Sequence, residues 1–394
     1  MGEVKENCLM EQKEYIGVEG AAALATICEE VRARRIFLVT GKSSYSTSGA
    51  RMLVEKALAG RIVHRYWDFS LGPNFEDVIN GAMLFQEADP DLIVAIGGGT
   101  PLDMAKAINV FQAHQGKVDL LDLVTGVEPV RNSGVPLAAL PTTAGTGSEA
   151  THFAVIYVGD EKYSLAHQNM LPDYAILDSR LTFGQPAYVT ACTGIDALCQ
   201  AIESYWSNSA TERSRQDASR AIPALLENIR SAVREPDPVT RTTMSVAANL
   251  AGKAINISKT TGPHAFSYGL TRHYGVPHGH AVALMMGQFW ELHARIWKQP
   301  ERVRHPYGAQ YLQNTLTQIL AWLGVDSHAS VARSWNALMQ DCGLEVDFKN
   351  MGVEAPEDID AVLGSVNLQR LGNHPVQVEQ MEMRRLFESK GRVT

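Results

Sequence analysis

The first half of the chain alternates short apolar runs with segments of helical spacing. Ile36 to Thr40 is one such run, and it empties into a Gly/Ser-rich turn, GKSS. RIVHRYWDF, from Arg61, reads as a second strand. FEDVINGAMLFQEADP repeats its apolar residues at helical spacing and stops at Pro90. DLIVAIGGG is a buried strand that runs into three glycines. PLDMAKAINVFQ then opens a helix with Pro101 in the first turn, where the missing N–H is harmless. VPLAALPTTAGTGSE is another apolar strand ending in a polar loop, FAVIYVGDEKYSL has the pattern of a hairpin around Gly159 and Asp160, and DYAILD is a further strand. Strands alternating with helices predict a mostly parallel sheet covered on both faces. From about Pro186 the pattern changes to long helical segments, and β-branched runs vanish. The expectation is an α/β N-terminal dinucleotide-binding domain over residues 1–185 and an all-α C-terminal domain over residues 186–394.

Composition changes this picture little. With 394 residues, 45% hydrophobic and 20% charged, the chain has ample material for two cores. The formal charge of -8, without long like-charge runs, argues against non-specific nucleic-acid binding. Five cysteines, Cys8, Cys28, Cys192, Cys199 and Cys342, form no CxxC pair, so a disulfide framework or thiolate zinc site is not expected. The start, MGEVKENCLM, has no apolar signal core, and no stretch is apolar enough to span a bilayer. A cytoplasmic protein without membrane partners is the expectation.

Two loops carry candidate chemistry. In GGGTPLDMAK, Gly97, Gly98 and Gly99 allow close backbone approach, and the following helix offers free N–H groups to a pyrophosphate. It is not a GxGxxG run, because Leu102 stands at the last glycine place. Packing of the turn is the competing reading. PTTAGTGSE adds the hydroxyls of Thr142, Thr143, Thr146 and Ser148, suited to a ribose or nicotinamide, or to capping a helix through Ser148. After the first strand, Gly41, Lys42 and Ser43 replace the carboxylate that would accept from a ribose 2′-OH. A lysine with hydroxyls suits a 2′-phosphate, so NADP(H) is favoured over NAD(H). That GKS run lacks the earlier glycine of a phosphate-binding lysine loop, Ile36 standing in its place.

The second half supplies polar groups of another kind. In GIDALCQAIES, Asp196 and Gln200 stand four residues apart, on one face of a helix. TTGPHAFSYGLTRHYGVPHGHAVAL packs His264, His273, His278 and His280 into one span. His264 and Tyr268 share a helix face with Arg272, and His278 sits on a turn between proline and glycine. The spacing alone does not select which of the four histidines bind.

GGGTPLDMAK, PTTAGTGSE, GIDAL and HAFSYGLTRHYGVPHG, in this order and spacing, resemble the iron-containing (group III) alcohol dehydrogenases over nearly the whole chain. The resemblance implies a dinucleotide-binding domain, a helical domain and a metal in the cleft between them, in a homodimer. It implies Asp196, the residue one turn later, His264 and His278 as metal ligands. It places Gly97, Gly98, Gly99, Asp103, Thr142, Thr143, Gly147 and Ser148 at the cofactor. Two departures stand out: the family's usual second helix histidine is Gln200 here, and a frequent histidine after the third ligand is Tyr268. Carboxylate, amide oxygen and two imidazoles suit Fe(II), Mn(II) or Zn(II), and the resemblance implies Fe(II) first. A site that has lost its metal is the opposing reading.

NISKTTGPHAFSYGLTRHYGVPHGHAVAL is most similar to the phosphonoacetaldehyde reductase branch, which implies reduction of phosphonoacetaldehyde to 2-hydroxyethylphosphonate in phosphonate natural-product biosynthesis. Lys259 and Arg272 flank His264 and are the expected partners of a small anionic aldehyde, with Tyr268 the expected proton donor. The alternatives are another small substrate, such as a primary alcohol or maleylacetate, a dehydroquinate-synthase-like lyase, and a non-catalytic nucleotide-binding protein.

Overall fold

In the strand Arg35–Thr40, Phe37 and Val39 point to one face while Ile36 and Leu38 point to the other, and all four are buried. A strand buried on both faces needs helices above and below it. The computed structural model, which describes residues 12–159, 161–296 and 299–388, supplies both layers. Its strands are β1 (Lys13–Ile16), β2 (Arg35–Thr40), β3 (Ile62–Tyr66), β4 (Leu92–Gly97), β5 (Leu137–Pro141), β6 (Phe153–Val158), β7 (Glu161–Ala166) and β8 (Tyr174–Leu177). Six of them form one parallel sheet in the order β1-β8-β5-β4-β2-β3.

Helices α1 (Ala23–Glu30), α2 (Ser44–Thr47) and α3 (Ala50–Ala57) contribute Leu24, Ile27, Tyr45 and Val54 to the core against Ile36, Leu38 and Val94. Helices α4 (Phe75–Ala88), α5 (Gly99–His114) and α6 (Leu120–Thr125) contribute Phe85, Phe111 and Leu123 to the core against Phe37, Val39 and Ile93. This is the expected α/β architecture. The hairpin strands β6 and β7 pair antiparallel in a sheet of their own and pack on the second core. Asp160, expected at the hairpin's turn, and Cys8 lie outside the described residues; the other four cysteines are buried thiols.

The chain divides into two compact units, one running to Thr142 and resuming over Ser148–Leu181, the other comprising Thr143–Gly147 and everything from Thr182. The second unit is helical. Its central element, α7 (Ala187–Trp206), is buried on nearly every side from Thr190 onward, and it packs against α8 (Glu212–Arg234), α9 (Pro238–Ser258) and α11 (His278–Ile296). Helix α10 (Gly262–Tyr274) lies against α11. Among the described residues no helix is long and apolar enough to cross a membrane.

One close approach fixes the position of α11. A Cβ on Gly279 would stand 2.0 Å from the Cys192 carbonyl oxygen and 2.8 Å from Asp196 Cβ, both on α7. Only glycine lets the start of α11 rest on that helix. Gly279→Ala is expected to cost about 1–3 kcal/mol through overpacking, read as a lowered Tm; an unchanged Tm would contradict the contact.

Candidate functional site

Helix α7 turns three polar side chains in one direction: Asp196, Gln200 and Glu203, spaced by four and three residues. They are only 3%, 4% and 0% exposed, in a helix whose other buried residues are mostly apolar. His264, in the first turn of α10, reaches the same place: its Nε2 lies 3.4 Å from Asp196 Oδ1 and its Nδ1 2.5 Å from Glu203 Oε1. The His278 ring, at the first residue of α11, stands 5.3 Å from that of His264, centroid to centroid. One ligand atom from each of Asp196, His264 and His278 falls within 4.8 Å of the others, and no other such group occurs among the described residues.

Electrostatics follow from burial. Burial alone would lower the His264 pKa, but the carboxylates of Glu203 and Asp196 outweigh it and raise it to about 10. A proton therefore stands where a cation would. Gln200 Nε2 donates to Asp196 Oδ2 at 3.1 Å, while its Oε1 is buried with no hydrogen-bond partner among the described residues. An orphaned acceptor of that kind costs about 1–3 kcal/mol. Carboxylate, two imidazoles and an amide oxygen fit a first-row divalent metal.

The other histidines of the segment are engaged elsewhere. His280 bonds the Tyr188 hydroxyl and the Glu345 carbonyl, and His273 bonds Ser365. Tyr268 lies on α10 one turn after His264, its ring stacked on His278 at 6.3 Å. Arg272 is exposed in the last turn of α10. Lys259 is partly buried and holds φ 61°, a left-handed value that side chains rarely adopt. Burial first, and then the charge of Arg370, pull its pKa down to about 8. Arg370 was not singled out in the sequence, because it lies over a hundred residues further along the chain. Nor was Glu203, although its place one turn beyond Gln200 was readable.

In the α/β unit, β2 and β4 are neighbours whose following segments lead to opposite sides of the sheet, β2 to β3 and β4 to β5. Such a switch point is where open parallel sheets bind ligands. The strand ends there carry Gly41, Lys42 and Ser43 after β2, and Gly97, Gly98 and Gly99 between β4 and α5. Gly97 has φ 153°, and a Cβ on it would meet Pro101 at 2.5 Å. Thr142, buried, follows β5 and donates its N–H to the Gly97 carbonyl. Asp103 and Ser148 are bound to each other, Oγ to Oδ1 at 2.6 Å, and Asp103 Oδ2 accepts from Val155 N–H. Thr143 and Gly147 belong to the helical unit, where a Cβ on Gly147 would meet Gly252 Cα at 2.4 Å. Arg65 on β3, unremarked in the sequence, donates to Thr40 Oγ1 at 2.8 Å and to the Gly41 carbonyl; both Arg65 and Lys42 lie over the Trp67 ring. The end of β2 thus gathers two cations.

Comparison with known proteins identifies the family. Residues 12–179 match the family described as iron-containing alcohol dehydrogenase, and residues 190–391 match the C-terminal region of the Fe-containing alcohol dehydrogenase family. The NADPH-dependent butanol dehydrogenase of Clostridium saccharobutylicum is 30% identical over 381 residues, covering 91% of this chain and 92% of that protein. Long-chain-alcohol dehydrogenase 1 of Geobacillus thermodenitrificans is 36% identical over 229 residues, and the match spans only 58% of either chain. Sulfoacetaldehyde reductase from Bifidobacterium kashiwanohense, solved in complex with NAD+, superimposes with a TM-score of 0.86 at 25% identity over 100% of both chains. The chain belongs to the iron-containing alcohol dehydrogenase family, whose members are oxidoreductases acting on alcohols and aldehydes.

Proposed function

We propose that the protein is a metal-dependent NAD(P)H aldehyde reductase that converts phosphonoacetaldehyde to 2-hydroxyethylphosphonate. The observation that carries this reading is the convergence of Asp196, His264 and His278, with the unpartnered Oε1 of Gln200 one turn from Asp196. Asp196, His264, His278 and Gln200 would hold a divalent cation, Fe(II) before Zn(II) or Mn(II), which when bound would supply Lewis-acid polarisation of a carbonyl oxygen. Nicotinamide supplies the hydride, so aldehyde, NADPH and one proton give alcohol and NADP+. The chain's own groups orient and protonate. His264 presents Nε2 because its other nitrogen is committed to Glu203. Tyr268, stacked on His278, is the hydroxyl we assign to proton delivery.

The substrate class is supported by two cations and one relative. Lys259 and Arg370 are partly buried and close enough for their charges to interact, an arrangement that a dianion would stabilise. The Bifidobacterium enzyme is named for sulfoacetaldehyde, an aldehyde bearing a sulfonate, and that compound is the second substrate to consider. For the cofactor, Lys42 and Arg65 at the end of β2 support a 2′-phosphate, as does the NADPH-dependent relative; the NAD+ complex of the Bifidobacterium protein favours the other form.

His264→Ala and His278→Ala are each expected to lose bound metal by elemental analysis and NADPH-oxidising activity on phosphonoacetaldehyde. Gln200→His should retain or tighten metal, and Gln200→Ala should weaken it. Full activity in both histidine variants would overturn the proposal.

Arg65→Ala should raise the KM for NADPH about tenfold or more, the scale of one charged hydrogen bond, and leave that for NADH unchanged. Equal effects on both cofactors would remove the 2′-phosphate assignment.

Lys259→Met should raise the KM for phosphonoacetaldehyde and spare propionaldehyde. Lys259 is cationic below its pKa of about 8, so the KM of the wild type for the anionic substrate should climb as pH rises through that value. A KM flat with pH, or a variant equally impaired on both aldehydes, would count against Lys259. Comparing kcat/KM for phosphonoacetaldehyde and sulfoacetaldehyde decides between the two anions.

A further inference from the structure

The proposed metal accounts for one nitrogen of His264. The other is held by a series of buried groups that the reaction itself does not touch. Glu203 Oε1 meets His264 Nδ1 at 2.5 Å. Glu203 Oε2 accepts the Thr261 backbone N–H at 2.6 Å and the Thr261 hydroxyl at 2.9 Å. Thr261 Oγ1 in turn accepts from Trp206 Nε1 at 2.9 Å. Glu203, Thr261 and Trp206 are all fully buried.

The direction of every bond in this series is forced. An indole N–H can only donate, so Thr261 Oγ1 must accept from Trp206 and turn its own proton to Glu203. An ionised carboxylate only accepts, so the proton on the His264–Glu203 bond belongs to Nδ1. In the neutral ring that leaves the Nε2 lone pair directed toward Asp196, 3.4 Å away. Asp196 and Glu203 stand seven residues apart on α7, two turns on one face, and the imidazole is inserted between them.

The geometry points to Glu203 as the positioning residue of the metal centre: it locks His264 in the Nδ1–H tautomer with Nε2 turned to the cation, and Thr261 and Trp206 lock Glu203. This rests on the reading of Asp196, His264 and His278 as metal ligands. Outer carboxylates that orient a ligating imidazole also raise its basicity, and their loss typically weakens metal binding about 10–100-fold. Glu203→Gln is nearly isosteric but introduces an NH2 that must face either the Thr261 donors or the His264 Nδ1–H, a donor against a donor.

The test is titration of the full-length protein with Co(II), following visible d–d absorption, for the wild type, His264→Ala, Glu203→Gln, Thr261→Val and Trp206→Phe, with circular dichroism to confirm folding. Glu203→Gln should bind Co(II) about 10–100-fold more weakly with a changed absorption band. Thr261→Val and Trp206→Phe should follow with smaller losses, and these two carry the test if Glu203→Gln does not fold. A merely structural Glu203 would lower Tm and leave affinity and spectrum as in the wild type; that outcome overturns the inference. Co(II) binding unaffected in His264→Ala overturns the metal-centre reading and the inference with it. Loss in His264→Ala with no change in the other folded variants overturns the inference alone.

Discussion

Two carboxylates sunk in an apolar helix set the terms for the helical unit. Asp196 and Glu203 are 3% and 0% exposed, and an ion stripped of water costs several kcal/mol unless it is met by charge and hydrogen bonds. Glu203 is met in full by Thr261 and His264. Asp196 receives Gln200 Nε2 on one oxygen and faces His264 Nε2 with the other. Even a doubly protonated His264 brings one positive charge against two negative ones. The rise of its pKa to about 10 expresses that deficit, with burial pulling the other way. A divalent cation between Asp196 and the two imidazoles would remove the deficit and displace the proton, so metal and proton compete for one place. The glycine contact at Gly279, the N-terminal turn of α10 and the tryptophan behind Thr261 all serve to bring neutral or positive groups to those two carboxylates.

The α/β unit faces the inverse problem, a buried cation, and meets it mainly with neutral acceptors and a carboxylate, Asp103, 3.9 Å away. The Lys106 amine is fully buried and donates to Ser148 Oγ, Thr151 Oγ1 and the Phe153 carbonyl. Burial pulls its pKa to about 8, opposed by Asp103 and Glu149. Asp103 completes the knot by accepting from Ser148 and from Val155 N–H. The helix that follows the glycine run is thereby tied to the segment after β5. Asp103 and Ser148 thus shape the loops beside the switch point through bonds within the protein, whatever else they touch.

The layered α/β architecture and the later all-helical region were legible because both depend on local pattern: unbroken apolarity in Ile36 to Val39 and in β4, 3.6-residue spacing afterwards. The edge strand β1 was not read, because KEYI is four residues long and owes its pairing to Tyr174–Leu177, far along the chain. The same division runs through the site. Asp196 and Gln200 were visible as a helix pair, and the family resemblance selected His264 and His278. Glu203 was passed over because its meaning depends on burial, and a carboxylate one turn further along a helix looks like any solvated glutamate. Arg65 and Arg370 acquire neighbours only through strand pairing and helix packing.

Gln200 links the charge balance of the site to its choice of metal. Histidine and glutamine are both neutral as ligands, so the exchange leaves the charge deficit around Asp196 and Glu203 as it was, and with it the demand for a cation. What changes is the donor. An amide oxygen is harder and weaker than an imidazole nitrogen, which moves preference from Zn(II) toward oxygen-tolerant ions such as Fe(II) and Mn(II). Glutamine also offers its Nε2–H to Asp196 Oδ2 while its Oε1 remains open. One side chain can therefore hold the carboxylate in place and add a ligand atom beside it.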